Sequence, residues 1–303
     1  MAGHIEQRPI FGCLTYKTSV NLGDEVQSIA AIENIKKVDG IISYYIDRDT
    51  RELTPINKSI YVGDEKIICI YNGWFDKNYC HWPPSANIVP LFVSFHINEV
   101  DKGDSYRILD KYLISRPPSL ADSKFIDYYS KFSPIYTRDI HTQNKLPGSK
   151  FLGCLTMTLE NDKRDELREG AFMVDVDPLS YHDIPEDIRT SSMNMTHISF
   201  TKDPTLRLAE AQKLLDTYKR AKLVITSRLH CALPCLAYDT PVVLLLSTWE
   251  TDPRFTGLDH LFTIHGRDKI DWYNHQNKDP IEFRNMASKL SETVADIIKS
   301  KHN

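Results

Sequence analysis

Glycine is scarce, at 12 of 303 residues, and the 16 prolines are spread along the chain. No stretch therefore advertises a long flexible linker. Long apolar runs are missing as well. The richest, Pro241-Val-Val-Leu-Leu-Leu-Ser247, is strand-sized and far short of the ~20 residues of a spanning helix, so no transmembrane segment is expected. Met1 to Pro9 is polar and has no apolar centre of a secretory leader, which makes a cytoplasmic location the expectation. Neither sign of charge dominates: 37 Lys and Arg stand against 41 Asp and Glu, a formal charge of -4. A strongly basic nucleic-acid surface is therefore not implied, so no nucleic-acid partner is expected, although a local basic pocket remains compatible with this balance. The six cysteines (Cys13, Cys69, Cys80, Cys154, Cys231, Cys235) are scattered and form no Cys-x-x-Cys pair. They read as reduced, buried thiols rather than zinc ligands or a disulfide framework.

What is present is a globular composition, 41% hydrophobic and 26% charged, on a length that suits two domains of ~150 residues each. In the first half, apolar runs at Ile10–Tyr16, Ile41–Ile46, Lys66–Tyr71, Ile88–Phe95 and Pro134–Thr137 predict strands. Gly23–Ile35, Lys124–Lys131 and Thr142–Leu146 predict helices. The second half restarts the alternation, with strands at Phe151–Leu159, Ala171–Val176, Thr196–Phe200, Leu223–Thr226 and Val242–Leu246. Helices are predicted at Leu206–Arg220, Arg228–Tyr238 and Pro280–Ser300. This pattern predicts an α/β fold of two Rossmann-like domains, 1–147 and 148–303, with a boundary near Pro147-Gly148. Gly12-Cys-Leu-Thr15 recurs as Gly153-Cys-Leu-Thr156, and each copy is expected in the first strand of its half. Ligands of open α/β sheets bind beyond the carboxyl ends of strands, so the expected site is the cleft between the two domains.

Residues able to carry chemistry cluster at those strand ends. Leu223-Val-Ile-Thr-Ser-Arg-Leu-His230 runs from an apolar strand into a helix start. It brings together a fixed positive charge, an imidazole and helix N–H groups, which suits a phosphate or carboxylate. The plainer reading is that Arg228 forms a salt bridge within its own domain and His230 is packed in the core. Asn21-Leu-Gly-Asp-Glu25 occupies the equivalent place in the first half. Gly23 permits close backbone approach, and Asp24 is either functional or a helix cap. Arg138, in Ile135-Tyr-Thr-Arg-Asp139, is either a second guanidinium facing the cleft or half of a surface pair with Asp139. Asp175-Val-Asp177 reads as a capped strand end rather than a metal site. His96 ends a strand, and Trp74 and Trp82 could stack on sugar rings or anchor the core. No G-x-G-x-x-G or Walker A loop is present.

The segments Asn21-Leu-Gly-Asp-Glu-Val-Gln27, Tyr71-Asn-Gly-Trp-Phe75, His81-Trp-Pro-Pro84, Leu91-Phe-Val-Ser-Phe-His96, Pro134-Ile-Tyr-Thr-Arg-Asp139, Gly153-Cys-Leu-Thr-Met-Thr-Leu159 and Ser227-Arg-Leu-His230, in this order, resemble the polysaccharide pyruvyl transferase family. The resemblance implies a GT-B-like arrangement of two Rossmann-type domains. It also implies transfer of a pyruvyl group from phosphoenolpyruvate to a saccharide or glycan precursor, giving a cyclic ketal. By that resemblance Arg228, Leu229 and His230 form the donor-binding and catalytic element, and Arg138 is a second anion-binding arginine. His230 is expected as the proton-transfer group with Asp24 as its partner. Gly23 is expected on the donor side, and Trp74, Trp82 and His96 on the acceptor. No step demands a metal or another cofactor. The competing expectations are a GT-B glycosyltransferase holding a nucleotide sugar with Arg228 on its diphosphate, and a glycan-binding relative without catalysis.

Overall fold

A computed structural model of the chain describes residues 9–57, 65–76, 81–98, 119–163, 166–248 and 250–301. The strands up to residue 151 are β1 (Ile10–Thr15), β2 (Ile42–Asp47), β3 (Leu53–Pro55), β4 (Ile67–Ile70), β5 (Gly73–Phe75), β6 (Ile88–Leu91), β7 (Phe95–Ile97), β8 (Tyr136–Thr137) and β9 (Lys150–Phe151). They form two sheets, ordered β3-β2-β1-β4-β6 and β5-β7-β8-β9. A third sheet, β11-β10-β12-β13-β14, is built from β10 (Glu169–Val174), β11 (Met193–Met195), β12 (Ala221–Thr226), β13 (Val242–Leu244) and β14 (Thr263–Ile264). Every pairing is parallel except β2 with β3.

Parallel sheets need cover on both faces, and the period-two alternation of side chains supplies it. In β4, Ile68 and Ile70 point into the largest core cluster, while Ile67 and Cys69 point into an aromatic one. In β13, Val242 and Leu244 join the largest cluster and Val243 joins a third. The largest cluster holds the helices α1 (Gly23–Lys36), α5 (Pro204–Arg220), α6 (Leu229–Ala237) and α7 (Pro280–Lys299). α1 packs directly on the other three. The shorter helices are α2 (Ser123–Ser130), α3 (Ile140–Lys145) and α4 (Glu186–Ser191). The result is a mixed α/β architecture. Among the described residues no helix is long and apolar enough to cross a membrane.

Three expectations need correction. The predicted strand Ile88–Phe95 is two strands, β6 and β7, in two different sheets. Ser94 takes a left-handed φ of 54° between them, and its Oγ donates to the Gly153 carbonyl at 2.8 Å. Unbroken burial through the step hides it from a hydrophobicity reading. Of the predicted strand Phe151–Leu159, only Phe151 lies in a strand, β9. Gly153 sits at φ 100°, which a strand does not accommodate, and Leu155–Thr158 turn as a 3-10 helix. The two Gly-Cys-Leu-Thr copies are therefore unlike: one lies in β1, the other in that turn. The predicted strand Thr196–Phe200 is displaced to β11. Residues 197–199 instead lie along residues 20–22, with Leu22 N donating to His197 O at 2.7 Å and Ser199 N to Val20 O at 2.8 Å. Just past the Pro147-Gly148 turn, β9 pairs with β8. The five described cysteines are all buried free thiols, and Cys80 lies outside the described residues.

Candidate active site

A cavity of about 360 Å³ opens where the loop after β1, the start of α1, β5 and the segment after β8 meet the start of α6 and the loop after β13. Its walls include Ser19, Asp24, Arg48, Trp74 and Arg138 from the first half, and His230 and Arg254 from the second. The start of α1 is folded by local bonds. Asn21 Oδ1 accepts from Gly23 N at 3.1 Å, and Ser19 Oγ donates to Asp24 Oδ2 at 2.6 Å. Asp24 is thus not the cap of α1, whose N-cap position is Leu22. A Cβ on Gly23 would stand 3.3 Å from His230 Cβ, so the glycine lets the starts of α1 and α6 approach closely.

Arg138 follows β8 and is fully buried, as is Asp139. The surface pair considered from sequence is therefore wrong for these two residues, because the strand end carries them inward. Arg138 Nη1 donates to Gln27 Oε1 at 3.1 Å and lies 3.4 Å from His230 Nε2. Its Nε is 3.6 Å from Asp139 Oδ2, and Nη2 has no hydrogen-bond partner. A guanidinium donates only, so His230 Nε2 is the acceptor and the ring carries its proton on Nδ1. Burial, then the positive charges of Arg138 and Arg254, push His230 well below its ordinary range. Its imidazole is neutral.

His96 stands behind Arg138 with its side chain fully buried, and its Nδ1 is 2.6 Å from Asp139 Oδ2. Burial, with Arg138, pushes His96 down to about 4 against the pull of Asp139. Burial works against a charge on Asp139, but His96, Arg138 and the Thr142 amide outweigh it and hold the carboxyl down to about 2. His96 thus supports Asp139, which faces Arg138. Asp139 also caps α3 by accepting from Thr142 N at 2.8 Å.

The structure brings Asp24, Gly23, Arg138, His230 and Trp74 together. Arg228 takes the other alternative: its Nε donates to Asp175 Oδ2 at 3.1 Å. Asp175, at φ 45°, also accepts from His197 N at 2.8 Å, while Asp177 Oδ2 accepts from Ser247 Oγ at 2.6 Å. The Asp-x-Asp pair pins a strand end, and among the described residues no cluster of His, Cys, Asp or Glu could hold a metal. Leu229 is buried in the largest core cluster. Trp82 packs among Tyr71, Phe75, Phe92, Phe95, Tyr128 and Tyr129, with ring centroids 5.8–6.2 Å away.

Three further residues belong to the site. Arg48 donates to Asp49 Oδ1 at 2.7 Å and to Trp74 O at 2.8 Å, and its guanidinium stacks over Tyr16 at 4.7 Å. Arg254 is forked on Asp252, with Nε 2.9 Å from Oδ1. Gln27 holds Arg138, and it falls four residues after Gly23, one helical turn on; that spacing is the signal by which it was findable. Arg254 lies in the short 3-10 turn Pro253–Phe255, which has no such signal.

The sequence pattern of the polysaccharide pyruvyl transferase family matches residues 21–248, a span that contains Asp24, Arg138 and His230. The chain belongs to the polysaccharide pyruvyl transferase family, which makes it a transferase and implies a saccharide acceptor. No curated protein sequence matches it. Among solved structures, a functionally uncharacterized protein from Klebsiella pneumoniae is similar at 13% identity over 80% of this chain and 87% of that one, with a TM-score of 0.39. The calicheamicin glycosyltransferase CalG4 is similar at 10% identity over 98% and 93%, with a TM-score of 0.27. Likenesses this distant carry no argument about function.

Proposed function

We propose that the protein transfers the pyruvyl group of phosphoenolpyruvate to two hydroxyls of a saccharide, forming a cyclic ketal. The observation that supports this most is Arg138, a fully buried guanidinium whose Nη2 lacks a partner, at a cavity that also presents Arg48, Arg254 and His230. Such a group calls for an oxygen anion, and a volume of about 360 Å³ suits a small ligand. On this reading residues 1–147 form the acceptor side and share the donor site. Residues 148–303 form the donor side, in a GT-B-like pair of Rossmann-like domains. A phosphoenolpyruvate donor fits a cytoplasmic site of action.

Chemically, the donor's negative charge on Arg138 and Arg254 offsets the positive field that, together with burial, keeps His230 neutral. The imidazole then becomes protonatable while the donor is bound. Imidazolium His230 gives its proton to the methylene carbon, and the central carbon becomes electrophilic. A saccharide hydroxyl attacks that carbon and passes its proton to Asp24. The carbon–oxygen bond to phosphate breaks, and the arginines stabilise the departing phosphate. A second hydroxyl then closes the ring. Of the two hydroxyl protons lost, one is balanced by the new methyl group and the other leaves with phosphate.

The test is phosphate release from phosphoenolpyruvate across a set of saccharide acceptors. Loss of the vinyl proton signals and appearance of a methyl signal in the NMR spectrum are the accompanying readout. Thermal stabilisation by nucleotide sugars and none by phosphoenolpyruvate would replace this reading with glycosyl transfer.

A further inference from the structure

A second cavity, of about 370 Å³, is lined by Asn98, Thr248, Thr251 and Asp252 together with Trp74 and Arg254. The last two also line the first cavity, so the two spaces share one indole and one guanidinium. The chemistry of the second space differs from that of the first. Its formal charges, Asp252 and Arg254, neutralise each other in a forked pair. Besides them, the described residues offer two threonine hydroxyls, an amide, the Pro253 ring and the indole of Trp74. This lining offers little to an anion, and it suits a neutral ligand with many hydroxyls and apolar C–H faces. Thr248 and Thr251 are exposed, so the space opens to solvent beside them and a longer chain can leave there.

We infer that this second cavity is the acceptor subsite and that it takes a pyranose unit of a glycan, with Trp74 against the sugar face and Asn98, Thr248 and Thr251 on its hydroxyls. The inference rests on the pyruvyl-transfer reading of the first cavity. It adds what that reading lacks: where the acceptor sits, and from which side the two reacting hydroxyls reach the donor. The diol must point past Trp74 and Arg254, and the rest of the glycan lies toward Thr248 and Thr251. Trp74 is then shared between acceptor recognition and donor enclosure, while the two threonines, from the second half, extend the acceptor side beyond residues 1–147.

The test uses saturation-transfer NMR on the full chain with methyl pyranosides of glucose, galactose, mannose and N-acetylglucosamine. Phosphoenolpyruvate-induced thermal stabilisation is measured on the same samples. At least one pyranoside is expected to bind the parent protein. Thr248→Val and Thr251→Val should each weaken that binding about 3- to 10-fold, the loss of one hydrogen bond, with the donor-induced stabilisation retained. That retained shift also shows that the variants fold. Equal pyranoside binding by parent and threonine variants would overturn the subsite. So would a failure of all four pyranosides to bind while phosphoenolpyruvate still stabilises the protein. Pyranoside binding that depends on the threonines, in a protein indifferent to phosphoenolpyruvate, would sustain the subsite and overturn the donor reading instead.

Discussion

Arg138 Nη1 and His230 Nε2 lie 3.4 Å apart, 92 residues distant in sequence. The pair joins the end of β8 to the first turn of α6, and it fixes the imidazole as neutral with its bare nitrogen turned to the guanidinium. An anion settling on Arg138 alters the field at His230 directly, which couples donor binding to the proton His230 carries.

Replacing His230 tests that coupling. Both His230→Ala and His230→Gln should lower turnover about 10²- to 10⁴-fold, the usual contribution of a positioned acid or base. The dissociation constant for phosphoenolpyruvate should change little, because the arginines hold the anion. Phosphate release and donor titration, run side by side, separate the two effects. Parent-like turnover in both variants would move the proton role to Asp24.

Arg138→Lys keeps the charge and loses the fork. Its short ammonium cannot hold Gln27, His230 and a ligand oxygen together. Donor affinity should fall by the equivalent of one charge-assisted hydrogen bond, ~1.5–3 kcal/mol, or about 10- to 100-fold. Calorimetric titration with phosphoenolpyruvate reads this, and unchanged affinity would remove Arg138 from the donor site.

Stability should depend on pH through His96. Its folded value of about 4 lies below the unfolded value of ~6.5, so between these values the unfolded state binds the extra proton. Stability is therefore fully present above pH ~6.5 and declines as pH falls toward 4, by an amount on the order of 3 kcal/mol. Asp139, held down to about 2 against ~3.9 unfolded, adds a further loss only below pH ~4. Urea unfolding at several pH values should show a shallower slope between pH 4 and 6.5 for His96→Gln. A slope identical to the parent's would assign the effect to other groups.

Glu25 and Arg207 form a buried two-point ion pair, with contacts of 2.6 and 2.8 Å between α1 and α5. Glu25→Gln leaves a buried guanidinium without its counter-charge and should cost about 3–5 kcal/mol. The double variant Glu25→Gln with Arg207→Met should cost clearly less than the sum of the two single changes. Additive losses would show that the pair contributes nothing as a pair.

The strand–helix alternation was legible wherever an apolar run ended at a polar break, as at β1, β4 and β12, and it carried Arg138 and His230 with it because both stand at such ends. It failed where burial continues through a change of direction. Phe92 and Phe95 read as one strand because both are buried, and only Ser94 and Gly153, through their backbone angles, reveal the turns. Trp82 sits in a proline-rich loop that looks exposed in sequence, yet the loop folds back into the aromatic cluster. Arg228 and Arg138 look equivalent on paper; a carboxylate 53 residues upstream, Asp175, accounts for one of them. Arg254 lies in a single 3-10 turn, Pro253–Phe255, too short for periodicity, and tertiary placement alone makes it part of the site.

The Glu25–Arg207 clasp has a mechanical consequence. It lies on α1 one residue from Asp24, so the N-terminal wall of the cavity is bolted to a helix of the C-terminal half. A jaw-like opening of the halves would have to pull a charge pair apart in a dry interior.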